Sequence, residues 1–144
     1  MRIIIVMACA IGLAACASHP KQDHLPAAKM NIKLGYAYLA RGQVERAELK
    51  FNTALNLAPN NALVLKGMGD YYLQTDRFWL AKGFLARAYQ LVPSNPEYKN
   101  NYAVALCRSG EAQKAVSLFK QLSRNPQYPG RSHAWENALL CEKR

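Results

Sequence analysis

Cysteine supplies most of the chemistry open to this sequence of 144 residues, which has four: Cys9, Cys16, Cys107 and Cys141. A thiol can act as a nucleophile, oxidise to a disulfide, or sit buried as a small apolar group. Cys16 follows the apolar and small residues Leu13-Ala14-Ala15, and Cys107 and Cys141 stand 34 residues apart. No His-Glu-x-x-His, nucleophile elbow or phosphate-cradling glycine loop is present. The nine acidic residues are scattered, and His133 stands apart near the C-terminus. His19 and His24 fall in a polar stretch without apolar period, which reads as solvated linker rather than a metal site. The sequence therefore predicts no catalytic centre, no metal and no cofactor.

The spacing of 34 also organises the chain from Ala28 to Gln127. It relates Gly35 to Gly69, Tyr38 to Tyr72, Ala47 to Ala81, Ala54 to Ala88 and Pro59 to Pro93. A weaker third copy has Ala103, Leu106, Ala115 and Phe119. Small residues at Gly35, Gly69 and Ala103 let two helices cross closely, with Ala47, Ala81 and Ala115 facing them. Tyr38, Tyr72, Phe51, Leu85 and Phe119 are expected to fill the space on either side. Pro59 and Pro93 end second helices, since proline lacks the amide and clashes with the preceding turn. Gly42 and Gly110 mark left-handed turns between helices, and Thr75-Asp76 is expected to supply a side-chain cap in their place. This pattern resembles the tetratricopeptide repeat. The resemblance implies an all-α superhelix of three helix pairs, 28–61, 62–95 and 96–129, followed by a C-terminal helix, 131–144. Asn125-Pro126-Gln127-Tyr128-Pro129-Gly130 must break the chain before that helix. There Ala134, Trp135, Ala138, Leu139 and Cys141 fall at helical spacing. It reads as the first helix of a fourth unit, either a solvating end helix or part of a product cut short.

Residues 1–15 read as a targeting segment. Arg2 precedes the apolar run Ile3 to Ala15, too short for a spanning helix. Leu13-Ala14-Ala15-Cys16 resembles the lipobox of bacterial lipoproteins. The resemblance implies cleavage before Cys16 and lipidation there, with Ala17 favouring delivery to the outer membrane. Two or three acyl chains anchor stably. Residues 16–27 then form a lipidated tether, and 28–144 form the repeat domain.

Two further segments, Asn100-Asn101-Tyr102-Ala103-Val104-Ala105-Leu106-Cys107 and Pro126-Gln127-Tyr128-Pro129-Gly130-Arg131, precede Trp135-Glu136-Asn137-Ala138-Leu139-Leu140-Cys141. With the lipobox and the repeats they resemble the type IV pilus biogenesis and stability lipoproteins, which are pilotin-type. That resemblance implies a non-enzymatic protein on the periplasmic face of the outer membrane. Its partner would be the pilus secretin or another pilus assembly component. A general periplasmic scaffold for another envelope complex or for cell-wall enzymes is the alternative.

By resemblance to the repeat class, the partner groove is lined by the second, fifth, ninth and twelfth positions of each first helix. These include Ile32, Tyr36, Leu39, Lys66, Asp70 and Leu73, a set expected to suit an apolar peptide or amphipathic helix. The competing expectation is that Ile32 and Leu39 pack beneath a neighbouring helix or the tether. A second candidate comes from comparing the copies with one another. Trp79 and Leu80 stand where the other units have Glu45-Arg46 and Gln113-Lys114, so they are expected to be exposed, with Phe84 one turn on. A locally rearranged core is the other reading. The formal net charge of +10 carries no nucleic-acid motif and reads mainly as a solvated face. Attraction to anionic lipid or an acidic partner is the remaining reading. With Cys9 removed and Cys16 acylated, Cys107 and Cys141 are an even pair at one repeat position in an oxidising compartment. They are expected to form a disulfide if curvature brings neighbouring helices close enough, and otherwise to be buried free thiols.

Overall fold

The computed structural model describes residues 24–143, and residues 1–15 and Cys16 lie outside them. Among the described residues seven helices follow in order: α1 (Leu25–Leu39), α2 (Val44–Leu57), α3 (Ala62–Gln74), α4 (Phe78–Leu91), α5 (Pro96–Arg108), α6 (Ala112–Ser123) and α7 (Arg131–Glu142). Every consecutive pair of helices packs together. Each first helix also touches the next one, α1 with α3, α3 with α5 and α5 with α7. This double contact winds helix pairs into a superhelix with one continuous core.

The local causes repeat with the sequence. Asn61 and Asn95 precede α3 and α5, and their side chains accept the free amides of Leu63, Val64 and Glu97. Gly42 and Gly110 adopt φ of 69° and 91° after the first helices. The middle copy departs from expectation. Asp76 takes the left-handed conformation itself, with φ 57°, and the Thr75 hydroxyl donates back to the Tyr71 carbonyl at 3.0 Å. The α4 start therefore has no side-chain cap. At the other end, α1 begins at Leu25, so residues 25–27 of the expected tether are helical. Pro26 sits in the first turn, where its missing amide costs no bond.

Close helix crossings explain the small residues. A Cβ added at Gly35 would lie 2.8 Å from the Phe51 ring, and one at Gly69 would fall on the Leu85 side chain. Phe51, Leu85 and Phe119 are buried, as are Ala47, Ala81 and Ala115 opposite. Ala103 is buried with Phe119 and Leu122 in the last part of the core, which α7 closes with Ala134, Ala138 and Cys141. Trp135 and Leu139 do not join them. Both face outward, 49% and 40% exposed, because the buried stripe of α7 runs through the small residues.

Charge pairs fix how the units stack. Arg77 meets Glu48 at 3.4 Å and Lys82 meets Glu111 at 2.5 Å. Glu48 and Lys82 share one repeat position and Arg77 and Glu111 another, so one inter-unit contact is made twice with its polarity reversed. Such surface pairs add little stability one by one, but a shifted register would juxtapose like charges.

Candidate functional site

The inner-face residues do not form the apolar groove expected of them. Ile32 is only 2% exposed, because Gly67 on α3 leaves room for it. A Cβ at Gly67 would approach the Ile32 Cδ1 to 2.7 Å. Ile32 is thus a core residue joining α1 to α3, and no partner reaches it. Leu39 is half-buried against the first part of the core, and Leu73 against the middle part.

Between these apolar residues lies a polar cluster centred on Asp70. The Tyr36 hydroxyl donates to Asp70 Oδ2 at 2.6 Å, and Lys66 Nζ reaches the same oxygen at 2.7 Å. Asn101 Nδ2 donates to Oδ1 at 2.7 Å. One carboxylate therefore ties together α1, α3 and α5. The Lys66 and Asp70 side chains are 19% and 14% exposed, so the pair is partly shielded from water. Burial, followed by the Asp70 charge and hydrogen bond, pushes the Tyr36 hydroxyl far above the usual phenol range. Burial likewise raises Tyr98, which Lys66 partly offsets. Tyr36, Lys66 and Asn101 each direct one donor to Asp70, so its carboxylate is satisfied within the cluster. Asn101 was the participant that sequence spacing missed. The rule of second, fifth, ninth and twelfth positions selects its immediate neighbour Asn100 on α5 instead.

The second candidate surface is exposed. Trp79 and Leu80 are 69% and 48% accessible, which rules out the rearranged core. Phe84 is not part of this surface. It packs against the core and stacks on Tyr72 with ring centroids 5.6 Å apart. Phe78 takes its place beside Trp79, bordering a cavity of about 300 Å³ with Arg77 and Arg108. Lys82 lies 3.7 Å over the indole of Trp79, and the Arg108 guanidinium 4.2 Å over the Phe78 ring. Nearby, Lys114 and then Lys82 hold the Glu111 carboxyl down to about 2 by hydrogen bonding it.

Cys107 and Cys141 are joined Sγ to Sγ, with Cα atoms 5.8 Å apart. Helix axes 8–10 Å apart can carry such a bridge when facing positions lie closer than the axes. The bond spans α5 and α7.

Among the described residues no helix is long and apolar enough to cross a membrane. Residues 28–61 match the tetratricopeptide repeat model. The type IV pilus assembly protein PilF of Pseudomonas aeruginosa is 26% identical over 147 residues, covering 97% of this chain and 58% of PilF. The solved structure of Pseudomonas aeruginosa pilF superposes with a TM-score of 0.71, covering 83% of this chain and 54% of that one. The chain thus spans little more than half the length of these relatives. The second TPR domain of human RPAP3, solved with an HSP70 peptide, superposes with a TM-score of 0.68 at 19% identity, covering 84% of this chain and 97% of that one. The fold is the tetratricopeptide-repeat superhelix, an architecture that generally serves as a scaffold for protein interaction.

Proposed function

We propose that this chain is a lipid-anchored protein-binding module at the periplasmic face of the bacterial outer membrane, acting in type IV pilus assembly. The carrying observation is the similarity to PilF, which runs along 97% of the chain rather than one repeat. Leu13-Ala14-Ala15-Cys16 supports the anchor, with Cys16 as the acylated residue. The proposed partner is the pilus secretin or another component of its assembly, and no catalysis is assigned. Anchoring places the repeats within reach of the membrane, and the helical array then offers a preformed surface to the partner.

Deleting the gene and complementing it tests both parts. The deletion strain is expected to lose secretin multimers from its outer-membrane fraction. The wild-type gene restores them, whereas Cys16→Ser yields soluble or unprocessed protein and restores little. Secretin multimers unchanged by the deletion would refute the pilus role. Cys16→Ser protein that still fractionates with outer membrane would refute the anchor.

A further inference from the structure

We infer that the Trp79 surface is a docking site for a short acidic segment of a partner protein carrying one large apolar side chain. The inference rests on reading the chain as a protein-binding module, and not on which protein it binds. Apolar area and charge meet there. Phe78, Trp79 and Leu80 begin α4, and with Arg77, Arg108 and Asp76 they border the cavity of about 300 Å³. That volume is at the low end for a ligand site and suits one side chain rather than a whole helix face.

The cations define the charge of the occupant. Arg77 and Arg108 both border this cavity and keep side-chain exposures of 45% and 40%, with Arg77 held only at 3.4 Å by Glu48 outside it. Arg108 bonds Asp76 at 2.9 Å, but the Asp76 side chain is 75% exposed. A partner carboxylate can join or replace it without burying a new unpaired charge. Lys82 over Trp79 and Arg108 over Phe78 hold the rings in place before binding. Exposed, prearranged Trp and Arg side chains are the usual anchors of a protein contact. An anionic membrane fits less well. Asp76 and Glu111 are interleaved with the cations, and headgroups spread over a plane would meet both carboxylates.

A random dodecapeptide display library, selected on the mature chain, tests the site without assuming a partner. Enriched peptides are expected to carry Asp or Glu within a turn of Trp, Phe or Leu. Trp79 is the only other tryptophan besides Trp135, so a Trp135→Phe background makes its emission a direct reporter. Synthetic peptides from the selection are expected to shift that emission. Trp79→Phe and Leu80→Ser are expected to weaken the same peptides by at least about tenfold, read by peptide anisotropy. Arg108→Glu should weaken acidic peptides and favour their lysine-substituted versions. The proposal is overturned if the enriched peptides lack acidic residues, or if they bind these variants as well as wild type. It is also overturned if vesicles with anionic phospholipid shift the Trp79 emission while no peptide does. Peptide binding here with no secretin binding would leave the docking site standing and remove the pilus reading.

Discussion

Replacing Asp70 with alanine removes a group shared by α1, α3 and α5. Tyr36, Lys66 and Asn101 lose their acceptor together, at 2.6, 2.7 and 2.7 Å. A hydrogen bond to a charged group contributes about 1.5–3 kcal/mol, and a buried donor left unmade costs more than the bond was worth. Two factors reduce the sum. The Lys66 and Asp70 side chains retain 19% and 14% exposure, so water partly replaces what is lost, and three bonds to one carboxylate are not additive. The expected loss is about 2–4 kcal/mol, or roughly 10 °C in Tm for a domain of this size. Tyr36→Phe removes a single donor and should cost about 1–2 kcal/mol, toward the low end for a bond to a charged group because Asp70 keeps its other two donors. Urea unfolding followed by circular dichroism gives both values, and the double variant gives the coupling. A coupling of about 1 kcal/mol is expected. Asp70→Ala within about 0.5 kcal/mol of wild type would show that packing alone holds the inner face together. Fully additive single variants would show that Tyr36 and Asp70 do not act through each other.

Gly69→Val should destabilise by about 1–3 kcal/mol or more in the same assay, because the new side chain falls on Leu85. Gly83, with open space beside it, should tolerate alanine. Reduction of the Cys107–Cys141 bond should raise hydrogen exchange in residues 131–143 while leaving α1 to α4 unchanged, since among the described residues α7 packs on α6 and α5 alone. Equal exchange with and without reductant would mean that packing on α6 suffices. In alkali Tyr36 stays protonated in the fold but ionises in the unfolded chain near pH 10, so the unfolded state binds fewer protons. Stability should therefore fall above pH 10, by up to about 1.4 kcal/mol per pH unit from this residue, and Tyr36→Phe should lessen that slope.

The spacing of 34 made the helix crossings legible because the same steric demand recurs at Gly35, Gly69 and Ala103, whatever surrounds them. Helix ends were legible for a similar reason, since Pro59, Pro93, Gly42 and Gly110 act through their own backbones. Trp79 and Leu80 were readable as exposed because the flanking copies carry polar residues there. What failed depends on pairs of residues far apart in the chain. The groove reading of Ile32 failed because Gly67 leaves room for its side chain, which is the competing expectation of packing beneath a neighbouring helix. Phe84 is drawn inward by Tyr72. The Asp70 cluster needs side-chain positions on three helices at once, so the inner face appeared more apolar than it is. Asp76 shows the same limit locally. Aspartate can cap a helix or turn left-handed, and Asp76 stands one repeat from both Gly42 and Gly110, where the backbone takes the left-handed form.

Photocrosslinking in piliated cells tests the central claim most directly. A photoreactive residue is placed at Leu73 or Trp79 of the full-length chain, with the exposed Glu136 on α7, which packs on neither α3 nor α4, as the control. The account predicts that irradiation joins the chain to the pilus secretin from position 73 or 79 and not from position 136. Crosslinks from both test positions that contain only cell-wall enzymes, or secretin recovered equally from position 136, would contradict it.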